Sequence, residues 1–256
     1  MTKPDYRVLF LFLLAGLLIS ISACEAGERD RIPTGGTGEG KTIDDIRIGE
    51  GLSSLESYTM NLAITFDTEG EQGTINMTMS ANTTTNDMAA RVSGSGPALE
   101  AVSGMGLEMY QVGGQGYLLT DVNGTPHCIR SPGGAAAAVP KIEDMVGDLK
   151  GLELISQGES VNGVMANRYS LRDVHQAFGQ TDMQAISEVK KADVWIAQDG
   201  GYPVRIDIEA TGTSRSGTSG TYTLRYDLTD INQVGPITLP EACENASGFP
   251  ELPELP

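Results

Sequence analysis

Apolar and polar residues alternate with a period of two through most of this chain, and that pattern restricts it largely to β-sheet. Tyr58, Met60, Leu62, Ile64 and Phe66 fall on one side of a strand, with Thr59, Asn61 and Thr65 on the other. Ile75, Met77 and Met79 alternate with Asn76, Thr78 and Ser80, and Met88, Ala90 and Val92 continue more weakly. Further on, Val204, Ile206 and Ile208 alternate with Arg205, Asp207 and Glu209. Tyr222, Leu224, Tyr226 and Leu228 alternate with Thr223, Arg225, Asp227 and Thr229. Successive side chains of a strand point to opposite faces, so these runs predict an antiparallel sheet with one dry face and one wet face. The stretches 68–72, Gly113-Gly114 and 199–201 each separate two strand-like runs and read as hairpin turns. Residues 211–220 are rich in Gly, Ser and Thr and read as a mobile loop. Roughly eight to ten strands are expected.

Three segments break the alternation. Ile142, Met145, Val146 and Leu149 share one face of a helix over 141–149. Met183, Ile186 and Val189 recur every third residue over 181–191, with Lys190 and Lys191 where cations suit a helix C-terminus. Thr42-Ile43-Asp44-Asp45 has the form of a capping box for a third, shorter helix. The expected fold class is therefore α+β: a large curved antiparallel sheet whose apolar face is covered by a few short helices. Incomplete cover would leave space between the layers, the natural place for a ligand.

The N-terminus points to export. Residues 1–7 carry Lys3 and Arg7 against Asp5, residues 8–21 are an apolar run, and Ser22 and Ala23 lead into Cys24. A basic start, a short apolar core and small residues at a cleavage site form a secretory signal. The run is shorter than the about 20 apolar residues needed to span hydrocarbon. Ile21-Ser22-Ala23-Cys24 resembles the bacterial lipobox, which implies removal of residues 1–23 and lipid on Cys24. Residues 24–41 are polar and glycine-rich and read as a flexible tether. A domain over 42–243 and a proline-rich tail over 244–256 complete the expected organisation.

The formal charge of the 256 residues is −17, and removing 1–23, which contributes +1, leaves −18. Such acidity argues against nucleic acid and against polybasic attachment to anionic lipid, so the acyl anchor would have to hold the membrane. With Cys24 assigned to lipid, Cys128 and Cys243 remain, and an even pair in an exported chain predicts a disulfide. Enzyme chemistry finds no support. His127, read as lying in a loop, and His175, near a turn, have no metal-ligand spacing around them. No nucleophile elbow, P-loop or dinucleotide fingerprint occurs. No catalytic residue, metal or cofactor is expected. The Asn-X-Ser/Thr sites at Asn76, Asn82, Asn123 and Asn245 are read as chance.

Four stretches carry a family resemblance: 52–58 running into an alternating strand, the hairpin over 108–119, the tryptophan strand and Pro-Val-Arg strand over 192–206, and 226–232 followed by 236–240. Their order resembles the LolA/LolB-like lipoprotein fold and, within it, the LprG/LppX-type lipoproteins. The resemblance implies a half-barrel sheet around helices and an apolar cavity for acyl chains, in proteins that carry lipids or lipoproteins across the envelope. Other proteins with this fold are sensors that bind regulators. The residues expected to line such a cavity are Tyr58, Met60, Leu62, Ile64, Met77, Met79, Met145, Met183, Ile206, Tyr222, Leu224 and Tyr226. Methionines among them would make the face compliant. The expected function is a monomeric, membrane-anchored, extracytoplasmic binder or carrier of a lipid or acyl-chain ligand. The alternative is an envelope sensor or protein-interaction module with a filled core.

Overall fold

The computed structural model describes residues 42–46, 51–68, 71–96, 106–122, 124–131, 149–172, 174, 183–214 and 218–248. Its strands are β1 (Thr42–Ile46), β2 (Ser57–Thr68), β3 (Glu71–Asn82), β4 (Asp87–Ser95), β5 (Leu107–Val112), β6 (Gln115–Val122) and β7 (Thr125–Arg130). They continue with β8 (Leu149–Val161), β9 (Val164–Leu171), β10 (Met183–Ala197), β11 (Pro203–Ser214), β12 (Ser219–Thr229) and the two-residue β13 (Ser247–Gly248). One short helix, α1 (Glu241–Glu244), precedes β13.

All thirteen strands join one sheet in the order β1-β8-β9-β10-β11-β12-β2-β3-β4-β5-β6-β7-β13. It consists of two meanders, β2 to β7 and β8 to β12, fused where β12 lies antiparallel to β2 from Gly220↔Thr68 to Thr229↔Thr59. Every other pairing is antiparallel except the parallel contact of β13 with β7. Neighbouring strands rotate by about 20–25° relative to one another, so a sheet this wide coils, and a half-barrel is consistent with it. Two hairpins show the local cause of the meanders. Gly113 and Gly114 both have positive φ between β5 and β6, as do Asn162 and Gly163 between β8 and β9. Two-residue turns of this kind match the twist of the strands they join.

Several expectations are corrected. Of the stretch 181–191, the described residues are not helical: from Met183 they belong to β10, and 181–182 lie outside the described residues. Register shifts between Met183 and Ala185, Ile186 and Glu188, and Val189 and Lys191 explain the misleading spacing. Each shift adds one residue to β10, so Ile186, Val189 and Ala192 meet the alternating partners Gly212, Ala210 and Ile208. A strand bulged at every second pair thus acquires a period of three. Thr42–Ile46 is likewise a strand, paired with β8 through Ile43↔Leu152 and Ile46↔Leu149, because edge pairing overrides the local capping signal. Of 141–149, residues 141–148 lie outside the described residues, and Leu149 opens β8. Among the described residues helix is confined to 51–52 and α1, so the expected helical cover is not seen there. His127 lies in β7 and not in a loop, while His175 falls outside the described residues. The loop over 211–220 is also shorter than expected, since β11 runs to Ser214 and β12 starts at Ser219.

Cys128 and Cys243 form a disulfide, with Cα atoms 5.1 Å apart and a separation of 115 positions in sequence. It fastens α1 to β7, and β13 then pairs with Ile129 and Arg130 on the same strand. A bridge over so long a loop is worth about 2–4 kcal/mol. Among the described residues, no helix is long and apolar enough to cross a membrane.

Candidate functional site: the apolar face of the sheet

The antiparallel registers align apolar side chains into rows that cross the strands. The longest row is Leu154, Tyr169, Val194, Ile206, Tyr226, Leu62, Met77, Val92 and Leu107, running from β8 through β12 and β2 to β5. Beside it lie Leu228, Met60, Met79, Ala90, Met109, Leu118 and Ile129. On the other side lie Ala192, Ile208, Leu224, Ile64 and Ile75, then Ala210, Tyr222, Phe66 and Gly73. Cross-strand contacts of this kind are the unit from which a sheet face is built. Gly73 has a steric reason: a Cβ there would lie 2.0 Å from Cζ of Phe66, whose ring covers the position.

Burial is uneven along the rows. Met60, Ile206, Ile208, Tyr226 and Leu228 are wholly buried. Ile64, Val92 and Met109 are half-buried and pack against that core. Leu107, Leu118 and Ile129 are half-buried too, so the face is driest around β10, β11, β12 and β2 and wetter towards β7. Burying one such aliphatic side chain is worth about 1.5–3 kcal/mol.

Tyr58, Tyr169, Tyr222 and Tyr226 bring hydroxyls to this apolar layer. The Tyr226 hydroxyl is buried and has no hydrogen-bond partner. Burial holds its pKa well above the ordinary phenol value, and the neighbouring Tyr58 and Asp227 act in the same direction.

The opposite face of the same strands is organised by charge. Arg205 Nε donates to Asp227 Oδ1 at 2.6 Å, Asn162 Nδ2 donates to the same oxygen at 3.1 Å, and Arg225 Nε donates to Oδ2 at 2.8 Å. Burial pushes the Asp227 carboxyl up, but the bonds from Arg225, Asn162 and Arg205 outweigh it and hold the pKa below the ordinary value. Arg168 and Arg205, on the strands flanking Trp195, lie over its ring at 5.3 and 6.0 Å from the centroid. The indole Nε1 donates to Glu159 at 2.7 Å. The Ser156 hydroxyl and that indole hold the Glu159 carboxyl below its ordinary pKa. Arg168 Nη2 donates to Asp193 at 2.7 Å, although its buried Nε lacks a partner. At the end of β2, β10, β11 and β12 an open cleft of about 600 Å³ is lined by Asp67, Ser187, Thr211 and Thr221, among others. It is polar and distinct from the apolar rows. Among the described residues no group of three His, Cys, Asp or Glu is placed to hold a metal ion.

No family model matches this chain, and no curated protein matches it. Among solved structures, similarity extends to the lipoprotein LppX of Mycobacterium tuberculosis, at 14% identity and a TM-score of 0.39 over 75% of this chain and 94% of that one. A DUF1329 family protein from Desulfovibrio piger is 10% identical with a TM-score of 0.27, over 75% of this chain and 95% of that one. MucB, in complex with the periplasmic part of MucA, is 12% identical with a TM-score of 0.25, over 77% of this chain and 57% of that one.

Of the residues expected to line a cavity, Tyr58, Met60, Leu62, Ile64, Met77, Met79, Ile206, Tyr222, Leu224 and Tyr226 all lie on the apolar face. Met145 lies outside the described residues, and Met183 is placed only as the first residue of β10. Sequence reasoning missed the contribution of β8 and β9, where Leu152, Leu154, Tyr169 and Leu171 extend the same face. The signal was present: Asn162-Gly163 is a hairpin dipeptide, and Tyr169 and Leu171 alternate with Arg168 and Ser170.

Proposed function

We propose that this chain is an extracytoplasmic lipoprotein, anchored through lipid on Cys24 after removal of residues 1–23, that holds a hydrophobic ligand against the apolar face of its sheet. A tether over 24–41 would let the domain beginning at residue 42 stand off the membrane. The observation that carries this reading is the continuous apolar band over nine strands, with Met60, Met77 and Met79 beside a buried hydroxyl that no described residue meets. Methionine adapts to ligands of varied shape. The Cys128–Cys243 bond suits an oxidising compartment. Ligand binding needs only apolar burial, so the reading calls for no catalytic group. Native mass spectrometry of the chain after mild extraction tests it: co-purifying lipid, or uptake of fatty-acyl probes by the stripped protein, is expected. Repeated absence of both would overturn it.

A second reading is favoured by the tight burial of Met60, Met79, Leu224 and Leu228. If the protein's own side chains fill the layer, the chain is a protein-binding module of the envelope and the polar face meets the partner. A chain that never takes up acyl probes but is captured by an envelope protein through Trp195 and its neighbours would establish this second function.

A further inference from the structure

The central position of the longest apolar row belongs to Tyr226. Leu154, Tyr169, Val194 and Ile206 lie on one side of it, and Leu62, Met77, Val92 and Leu107 on the other. Its side chain is fully buried, and its hydroxyl has no partner. Buried hydroxyls in native proteins are almost always bonded, and one left unmet is unfavourable. A phenylalanine would fill the same space without that penalty. No position in the four apolar rows carries a carboxylate or a cation. A carboxylate brought to this layer would lose its water and find no countercharge among the residues of these rows. A neutral carbonyl oxygen, by contrast, lacks only a donor, and the phenol supplies one.

We propose that the Tyr226 hydroxyl donates a hydrogen bond to the carbonyl oxygen of a neutral acyl ester lying against the apolar face, and so selects esters over free fatty acids and over chains that lack a carbonyl. This rests on the reading that the face takes a hydrophobic ligand. The ester carbonyl sits at Tyr226, and its hydrocarbon extends across the strands along the row, where the methionines of β2 and β3 accommodate it.

The test uses the full chain, stripped of lipid on a hydrophobic resin and titrated with three probes: monomyristoylglycerol, its ether analogue tetradecylglycerol, and myristate at neutral pH. The first two share their headgroup and differ by the carbonyl oxygen. The wild-type chain is expected to bind the ester about 2- to 12-fold more tightly than the ether, the factor that one neutral hydrogen bond supplies. It is expected to bind myristate more weakly than the ester. Tyr226→Phe should bind ester and ether equally, with affinity for the ether unchanged. An ester preference that survives in Tyr226→Phe, no preference in the wild type, or tighter binding of myristate would overturn the inference while leaving the binding function intact. Failure of the wild-type chain to bind any probe would overturn the binding function and this inference with it. Thermal unfolding of the stripped proteins gives a second measure. Tyr226→Phe should unfold no earlier than wild type, and a lower Tm would mean that the hydroxyl already has a structural partner.

Discussion

Tyr226 and Asp227 are neighbours on β12, yet they live in opposite worlds. Asp227 faces the polar side, where three donors converge on its carboxylate. Tyr226 faces the apolar side, where its hydroxyl receives nothing. The protein thus meets charge almost lavishly on one face and leaves a polar group unmet on the other. The polar face is a brace that holds β9, β10, β11 and β12 in register, although Arg168 Nε is buried in it without a hydrogen-bond partner among the described residues. The apolar face buries Tyr226 completely and leaves its hydroxyl unmet by any described residue.

Substitutions on the two sides of one strand should break this contrast or sharpen it. Ile206→Ala, on the apolar side of β11, is expected to cost about 2–5 kcal/mol in urea unfolding, because a wholly buried side chain leaves a cavity. A cost below the range for Ile206→Ala would mean that the layer is already loose. Asp227→Asn, on the polar side of β12, is expected to cost about 1–3 kcal/mol by the same measurement, since charge-assisted bonds are weakened.

The same polar face should give the protein a pH dependence. The folded-state pKa values of Asp227 and Glu159 are depressed, so their stabilisation is fully present above the ordinary carboxylate range. It is lost as pH falls through the lowered folded values. Unfolding curves recorded from neutral to acid pH should show this loss in wild type, and a flatter acid limb in Asp227→Asn. An unchanged acid limb would place the titrating groups elsewhere. Trp195→Phe keeps the ring under Arg168 and Arg205 but removes the donor to Glu159, for an expected cost of about 1 kcal/mol. Tyr226→Phe, which removes only the unmet hydroxyl, should lie within about 0.5 kcal/mol of wild type or be more stable.

Much of the apolar face was legible in the sequence because β2, β3, β11 and β12 keep strict alternation, and alternation maps directly onto a face. The one-sided sheet and the Cys128–Cys243 pair could be read for that reason and from the cysteine count. The errors have a different origin. β10 is a long strand interrupted by regular bulges, and its apolar residues copy the spacing of a helix without being one. Thr42–Ile46 carries local helix-start signals, but a partner more than a hundred residues away, Glu153 to Leu149, decides its conformation. The unmet hydroxyl of Tyr226 was not legible at all. A tyrosine in an alternating strand announces an aromatic body, while the absence of a partner for its tip depends on every neighbour at once.

The fusion of the two meanders through β2 and β12 has a consequence for how the chain matures. Thr59 finds Thr229 only after a further 170 positions of chain have emerged, and Cys243 lies later still. Until then β2 presents an open edge, and the first meander waits half-assembled. Pairings so distant in sequence form slowly, and unprotected strand edges invite aggregation in the interval. Chaperone protection during biogenesis would therefore matter most in the interval before β12 docks, and the disulfide would close last, as a seal on a sheet already joined.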